Sequence, residues 1–168
     1  MSMNLSVTIR QAELADVPAI TDIYNEAILT TTASFGIEPK TVEDRTKWFQ
    51  SHDERHPVLV AVADGKVVGW ASLTRWSDKG AYVDTAETSF FVHSGYRGRG
   101  IGRKLKAALI EEARRLRFHT LVARIAETSL ESIHLNESAG FVHVGTLKEV
   151  GRKFGKLLSV HILQKILD

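Results

Sequence analysis

The chain has 168 residues, of which 43% are hydrophobic and 25% are charged, and its formal net charge is +2. These values are ordinary for one globular domain and too balanced for a general nucleic-acid binder, and the lack of cysteine excludes disulfides, thiolate metal sites and cysteine nucleophiles. Because no apolar run reaches the ~20 residues of a membrane span and the N-terminus lacks the apolar core of a signal peptide, we expect a single cytoplasmic domain over residues 1–168 that binds neither membranes nor nucleic acid.

The first part of the chain predicts a strand, two helices and a hairpin. Residues 6–10 alternate in polarity as a short strand does, and the helix that follows begins at Asp16, a favourable N-cap. Thr41 begins a second, shorter helix. Apolar runs lie on both sides of Asp64 and Gly65, a dipeptide that favours tight turns, and they predict an antiparallel hairpin.

The second part of the chain predicts strands that alternate with helices. A strand over residues 85–93 precedes a glycine-rich stretch and an amphipathic helix that ends near Leu116, and a buried strand follows. Thr128 and Glu131 have the spacing of a capping box and predict a helix that stops at Gly140. Two strands end the chain. This order of elements predicts an α+β fold, with a mixed sheet between helices.

The stretch YRGRGIGRKL, residues 96–105, places three glycines at alternate positions among four basic residues. Because it leaves a strand and opens a helix, it is neither a tail nor a linker. A helix N-terminus has unpaired N–H groups and a partial positive charge, and glycines let a ligand approach the backbone. The stretch therefore suits a pyrophosphate. Taken alone, it leaves open the alternative of a tight turn with solvated arginines.

Several segments together resemble one enzyme family. Residues 97–102 follow a strand and resemble the acetyl-CoA signature Gln/Arg-x-x-Gly-x-Gly/Ala of the GCN5-related N-acetyltransferases (GNAT). The segments IYNEAI, SFGIEP, SIHLNESAGF and EVGRKFGK are similar to the phosphinothricin and methionine sulfoximine acetyltransferase branch, so the resemblance covers nearly the whole chain. It implies a mostly antiparallel sheet with helices on both faces, acetyl-CoA as acetyl donor, a small amino-acid-like substrate acetylated on its α-amino group, and a homodimer.

The resemblance also implies which residues bind CoA. The backbone of the glycine turn would hold the pyrophosphate, and the strand before it would pair with the pantetheine arm. Ser129 stands where the family usually has a CoA-contacting Asn, and Asn136 stands where it commonly has a His. The expected cofactor residues are Phe90, Phe91, Val92, Gly98, Arg99, Gly100, Ile101, Gly102, Arg103, Ser129 and Asn136.

Glu87 is the expected catalytic residue. A glutamate in a strand is most often only solvated, but the family places the matching Glu over the substrate, which implies a general base that acts through water. Strand N–H groups near Phe91 and Val92 are expected to polarise the thioester oxygen. Because the chain has no cysteine to carry an acyl group, the amine should attack acetyl-CoA directly in a ternary complex. No general acid is apparent, since Phe141 stands where relatives often have a Tyr.

The substrate contacts are expected in the loop after the third strand and beside Glu87. In the resembling enzymes, arginines after the strand tryptophan clamp the anionic end of the substrate, whereas Ser77 and Val83 stand at these places here. Without a bidentate guanidinium, we expect a substrate with a neutral or weakly polar side chain. The expected substrate-binding residues are Ser77, Asp78, Lys79, Thr88 and Ser89.

Parts of the sequence suggest two alternatives to an acetyltransferase: a metal site and a non-catalytic acetyl-CoA sensor. His52 and His56 have the i, i+4 spacing of helical metal ligands, but no third ligand is evident and Asp53 follows the first His, so no metal site is expected. The stronger alternative is a non-catalytic acetyl-CoA sensor with the same fold. A sensor would have no need of a base at Glu87.

Overall fold

A seven-stranded sheet forms the centre of the computed structural model, which describes residues 5–168. The strands are β1 (Thr8–Gln11), β2 (Val58–Ala63), β3 (Lys66–Arg75), β4 (Thr85–Val92), β5 (Thr120–Ala126), β6 (Val142–Lys153) and β7 (Lys156–Ile166). Their order across the sheet is β1-β2-β3-β4-β5-β7-β6. Neighbouring strands are antiparallel except β4 and β5, which run parallel. The predicted mixed, mostly antiparallel sheet is therefore confirmed.

Helices cover both faces of the sheet because strand side chains alternate between the faces. The helices are α1 (Val17–Thr30), α2 (Val42–Gln50), α3 (Ile101–Arg115) and α4 (Leu130–Ser138). Val58 and Val60 of β2 pack with α1, whereas Leu59 and Ala61 belong to the cluster that contains the buried side of α3. Within residues 5–168, no helix combines the length and apolar character needed to cross a membrane.

The structure confirms the predicted hairpin between β2 and β3. Asp64 and Gly65 both have positive φ, at 53° and 73°, as the tight turn between β2 and β3 requires.

Asp16 precedes α1 but does not cap it with its side chain. Its carboxylate instead accepts hydrogen bonds from Arg10, at 2.7 and 3.0 Å, and from the Glu13 N–H. Asp16 is therefore the N-cap residue of α1, as predicted, but its carboxylate makes the stronger charge-assisted contact with Arg10 instead of a capping hydrogen bond.

The predicted capping box at α4 is wrong. The N-cap is Ser129, one residue after the predicted Thr128, and no side chain caps the helix. The Thr128 hydroxyl is hydrogen-bonded to the Thr32 hydroxyl at 2.6 Å, a tertiary contact that the local pattern does not show. The predicted end of the helix is confirmed, because Gly140 has a φ of +92° directly after the C-cap.

The parallel pair β4 and β5 is short. The two strands pair only over Thr85–Glu87 and Thr120–Val122. Beyond these residues β4 continues to Val92 along β3, and β5 continues to Ala126 along β7. The two strands therefore separate, and each leaves one backbone edge without a strand partner.

Lys106 of α3 is buried in the core with 1% of its surface exposed. Its Nζ donates a hydrogen bond to Thr88 Oγ1 at 2.6 Å and lies 4.1 Å from the ring centroid of Phe141. In the described part of the chain, no carboxylate lies within ion-pair distance of this ammonium. Burial lowers the pKa of Lys106 to about 7, because an apolar environment disfavours the charged form.

Replacing Lys106 by methionine should stabilise the protein near neutral pH by roughly 2–4 kcal/mol, because the ammonium is no longer desolvated while one hydrogen bond is lost. Between about 7 and the ordinary lysine pKa of 10.5, the unfolded chain binds the extra proton, so wild-type stability rises with pH in this range. The advantage of Lys106→Met should therefore shrink as pH rises. Urea unfolding from about pH 6 to about pH 10 measures this, and a difference independent of pH would contradict it.

Candidate active site

A cleft of about 780 Å³ opens where β4 and β5 separate. Its walls come from these two strands, the turn before α3 and the start of α4. All but one of the predicted cofactor residues line it: Phe90, Phe91, Val92, Gly98, Gly100, Ile101, Gly102, Arg103, Ser129 and Asn136. The remaining residue, Arg99, places its guanidinium over the Tyr96 ring, 5.3 Å from the centroid.

The open edge of β4 presents main-chain groups to the cleft. His93 N–H donates to Val68 O at 2.8 Å, so His93 faces β3. Since successive residues of an antiparallel strand direct their backbone groups to opposite sides, Phe91 also faces β3, whereas Phe90 and Val92 face the cleft. Val92 and Phe90 can therefore pair with a ligand as a neighbouring strand would. The Phe91 N–H, which was expected near the thioester oxygen, is directed toward β3 and away from the cleft.

The glycine turn has the backbone conformation that an anion site needs. Gly98 and Gly100 have φ values of +75° and +80°, in the left-handed region that favours glycine. A Cβ at either position would meet no atom within 4 Å, so conformation and not space requires glycine here. Gly100 is the N-cap of α3, and the N–H groups of the first helical turn have no acceptor within the helix. These groups can bind a phosphate.

Gly102 serves packing instead. A Cβ at this position would lie 3.2 Å from Leu135 of α4 and 3.2 Å from the Phe90 ring of β4. Both contacts are tighter than an ordinary van der Waals distance. Gly102 therefore lets α3 approach α4 and β4 closely beside the cleft.

The segment before the turn is attached to α1. The Glu26 carboxylate accepts hydrogen bonds from the Ser94 N–H at 2.8 Å and the Ser94 hydroxyl at 2.7 Å. Arg97 lies 3.8 Å from the same carboxylate and donates from Nε to Val92 O at 3.3 Å. These contacts fix the end of β4 relative to the glycine turn.

Asn136 on α4 has an acceptor that the protein does not use. The side chain is buried, and its Nδ2 donates to Ser132 O at 2.8 Å. Its Oδ1 has no hydrogen-bond partner among residues 5–168, although an unpaired buried acceptor costs about 1–3 kcal/mol. A ligand N–H or O–H in the cleft would satisfy it. A phosphate-binding turn, an open strand edge and this amide together fit acetyl-CoA, which has phosphates at one end and amides along its arm.

Glu87 stands at the last position where β4 pairs with β5, directly before Thr88, the first residue of β4 that lines the cleft. Glu87 itself is not among the residues that line the cleft. Its carboxylate is held by Arg124 of β5, which donates from NH2 to Oε1 at 2.9 Å and from Nε to Oε2. The hydrogen bond to Glu87 raises the pKa of Arg124 above its usual range. Arg124 lines the cleft and was not predicted. The only signal was a single arginine within the apolar strand HTLVARI.

The predicted substrate residues beside Glu87 lie on opposite faces of β4. Ser89 shares the face of Glu87 and lines the cleft. Thr88 also contributes to the cleft wall, but it faces α3, where it accepts the hydrogen bond of Lys106. The Thr88 side chain is therefore bound to Lys106 and lies on the opposite face of β4 from Glu87 and Ser89.

The predicted substrate loop lies apart from the residues that line the cleft. Ser77 is half-buried, whereas Asp78 and Lys79 are exposed. The Lys79 N–H donates to Ser77 Oγ at 3.3 Å. Trp76, at the start of the loop, connects it to the site because its ring centroid lies 5.9 Å from the Arg124 guanidinium.

The two spaced histidines have protein partners. His56 Nδ1 lies 2.7 Å from the Asp53 carboxylate, and His52 Nδ1 lies 2.9 Å from Trp48 O. Residues 5–168 contain no group of three or more His, Asp or Glu side chains that could hold a metal ion.

A family model decides the family of this chain. Residues 20–141 match the model described as the acetyltransferase (GNAT) family. The chain belongs to the GNAT family. This GNAT domain is similar to an L-methionine sulfoximine/L-methionine sulfone acetyltransferase of Salmonella typhimurium, with 39% identity over 163 residues that cover 96% of this chain and 95% of the relative. It is also similar to a phosphinothricin N-acetyltransferase of Streptomyces coelicolor, with 37% identity over 158 residues and 92% coverage of both chains.

Solved structures agree with the sequence comparisons. The structure of yncA from Salmonella typhimurium with its cofactor acetyl-CoA matches this GNAT domain with a TM-score of 0.93 and 39% identity. The match covers 96% of this chain and 94% of the other. The predicted GNAT fold and the resemblance to the methionine sulfoximine and phosphinothricin acetyltransferases are thereby confirmed.

Proposed function

We propose that this GNAT enzyme transfers the acetyl group of acetyl-CoA to the α-amino group of a small amino acid of the methionine sulfoximine type. The observation that carries the proposal is a cleft whose walls include the phosphate-binding turn and Arg124, the residue that holds the Glu87 carboxylate beside the cleft. A non-catalytic sensor would use the turn but would have no need of a carboxylate held beside the cleft. The names of the relatives support the same activity.

At the donor end, the chain would hold acetyl-CoA mainly through its backbone. The first turn of α3 would bind the pyrophosphate, and the open edge of β4 at Phe90 and Val92 would pair with the pantetheine arm. Asn136 Oδ1 would accept a hydrogen bond from the ligand. The Val92 N–H would be the donor that polarises the thioester oxygen.

At the acceptor end, Glu87 would remove the proton from the substrate amine. Each carboxylate oxygen has two lone pairs, and Arg124 uses one on each, so both oxygens keep capacity to accept a proton directly or through water. Arg124 would fix the orientation of the carboxylate toward the cleft. The amine would then attack acetyl-CoA directly, and no acylated protein would form.

We expect the enzyme to prefer methionine sulfoximine or methionine sulfone to phosphinothricin. Ser77 and Val83 offer no guanidinium, and Arg75 lies between two carboxylates, 3.8 Å from Asp53 and 4.0 Å from Asp78. Loss of a charged bidentate contact costs about 1.5–3 kcal/mol, which is about one to two decades in kcat/KM. Release of free thiol with each amino acid measures this preference.

Ser77→Arg provides the matched control for substrate preference. It should raise kcat/KM for phosphinothricin by about tenfold and leave methionine sulfone nearly unchanged, because only the anionic substrate gains a charge-assisted contact. A wild-type preference for phosphinothricin would contradict the expected specificity. A wild-type protein that binds acetyl-CoA but releases no thiol with any amine would support the sensor instead.

We also infer a homodimer, as the sequence resemblance implies, and a cytoplasmic location, as expected from the general features of the sequence. The edge strand β6 supports the homodimer, because it exposes a row of apolar side chains that a second copy could cover. These side chains are Val142, Val144, Leu147 and Val150.

A further inference from the structure

Thr88 stands where the cleft begins. Glu87 and Val122 form the last pair between β4 and β5, so Thr88 is the first residue of β4 beyond that pairing. Its Oγ1 accepts a hydrogen bond from Lys106 Nζ at 2.6 Å. Its own hydroxyl faces Val122 O at 3.5 Å, which is long for a hydrogen bond between oxygens. Thr88 Oγ1 therefore accepts a hydrogen bond from the Lys106 ammonium, and its own hydroxyl proton can be donated to a better acceptor in the cleft.

Two contacts hold the ammonium of Lys106 in the core. Its Nζ lies 4.1 Å from the ring centroid of Phe141, and the aromatic face stabilises a cation. Thr88 Oγ1 is the hydrogen-bond acceptor that orients it. A proton donor is thus present next to the Thr88 hydroxyl.

Lys106 also contributes to a second cavity, which gives it a route to water. A groove of about 310 Å³ runs between α3 and α4, with Arg103, Leu135 and Lys165 in its walls. Lys106 lines both this groove and the acetyl-CoA cleft, and Thr88 lines the cleft alone. Lys106 therefore reaches the groove on one side and is hydrogen-bonded on the other to the Thr88 hydroxyl in the cleft wall.

We propose that Lys106 and Thr88 form the proton relay that protonates the leaving thiolate of CoA, an inference that rests on the proposed acetyl transfer. When the C–S bond of the thioester breaks, its electron pair stays on the sulfur. The Thr88 hydroxyl gives its proton to that sulfur, and Lys106 Nζ gives a proton to Thr88 Oγ1. The products at this end are the CoA thiol and a neutral Lys106 amine, which regains a proton from water through the groove.

Burial is the main influence on the pKa of Lys106, and the surrounding charges contribute little to it. The charged or titratable groups on the surrounding elements are Arg103, Glu111 and Arg114 of α3, Glu131 and His134 of α4, Lys165 of β7, and the paired Glu87 and Arg124 of β4 and β5. None of these carboxylates forms an ion pair with Lys106 in the part of the chain that the structure describes. Because burial lowers the pKa of Lys106 to about 7, the ammonium is the main form only below that pH.

The test compares Lys106→Met and Thr88→Val with Thr88→Ser, which keeps the hydroxyl, and with Lys47→Met, the same change on the exposed face of α2. With acetyl-CoA and a saturating amine, kcat should fall by about 10–10²-fold in Lys106→Met and Thr88→Val, and Thr88→Ser should stay within about threefold of wild type. The deficit of Lys106→Met should be largest below about pH 7 and shrink above about pH 8, because the wild-type relay loses its proton there.

Two measurements separate the relay from a structural role. Calorimetry should give the same acetyl-CoA affinity for wild type and both relay variants. Carbon NMR of labelled lysines should show one side chain that titrates near neutral pH and is missing in Lys106→Met. If Lys106→Met fails to fold, Thr88→Val carries the kinetic test alone.

Several outcomes would overturn the relay. Full activity of both variants, a deficit of Lys106→Met that is equal at every pH, or an acetyl group found on Lys106 by mass spectrometry would each do so. Lys47→Met should match wild type, and a similar loss in this control would show that the effect is not specific to Lys106. If wild type acetylates no amine, the proposed function fails and the relay fails with it, whereas an active wild type with unchanged variants overturns the relay alone.

Discussion

Gly100→Val should weaken acetyl-CoA binding by at least about a hundredfold, because a β-branched residue is strained at a left-handed position and relief of that strain removes the turn geometry and several N–H contacts. Gly100 has a φ of +80°, where a β-branched side chain is strained. The chain can relieve this strain by rotating to negative φ, which turns the N–H groups at the start of α3 away from the phosphate site. A Cβ at this position meets no atom within 4 Å, so the protein should still fold.

Two variants control for this effect. Gly145→Val in β6 makes the same change where a Cβ also meets nothing within 4 Å, and it should bind acetyl-CoA as wild type does. Arg99→Ala should cost only about 1–2 kcal/mol, because it removes one charge-assisted contact and leaves the backbone site intact. Isothermal calorimetry measures all three. Unchanged affinity of Gly100→Val would exclude the glycine turn as the acetyl-CoA site.

Glu87→Gln should lower kcat by roughly 10²–10³-fold near neutral pH, since the amide keeps the shape of the side chain but cannot accept the amine proton. The deficit should be smaller at high pH, where more of the substrate amine is already neutral. Steady-state kinetics with both substrates varied measures this. An enzyme with full activity after Glu87→Gln would remove Glu87 as the base, and parallel lines in the double-reciprocal plots would contradict direct transfer.

Arg124→Gln separates the base from its partner. If Arg124 only orients the carboxylate, its loss should lower kcat by about tenfold and leave acetyl-CoA affinity unchanged. A loss as large as that of Glu87→Gln would mean that the guanidinium itself contacts the reacting groups. The pair of variants therefore assigns separate roles to the two side chains.

The features that the sequence predicted correctly are those fixed by local chemistry. A glycine pattern between a strand and an amphipathic helix predicts the turn before α3, and the positive φ of Gly98 and Gly100 explains why glycine stands there. Asp64 and Gly65 predict the hairpin for the same reason. The periodic apolar residues of α3 predict which face of the helix is buried, because that pattern repeats with the helical turn.

The features that the sequence did not predict depend on contacts between distant residues. Arg124 reaches Glu87 only because β4 and β5 pair in parallel, and neither the pairing nor its register is visible in either strand alone. Lys106 follows Leu105 in a helix with many surface charges, so its residue type suggests solvent and hides its burial. Thr128 has the local pattern of a capping residue, but Thr32 binds its hydroxyl.

Because β4 pairs with β5 over only three residues, the main chain of β4 and its two side-chain faces have different surroundings. In the proposed reaction, the open main-chain edge of β4 would face acetyl-CoA and the side chains of Glu87 and Ser89 would face the amine. The side chains of Thr88 and Phe90 lie toward α3. Since every residue carries the same main-chain N–H and C=O, donor recognition places little demand on residue type. Substitutions on one face of this strand can therefore change which amine is accepted while the same acetyl donor is retained.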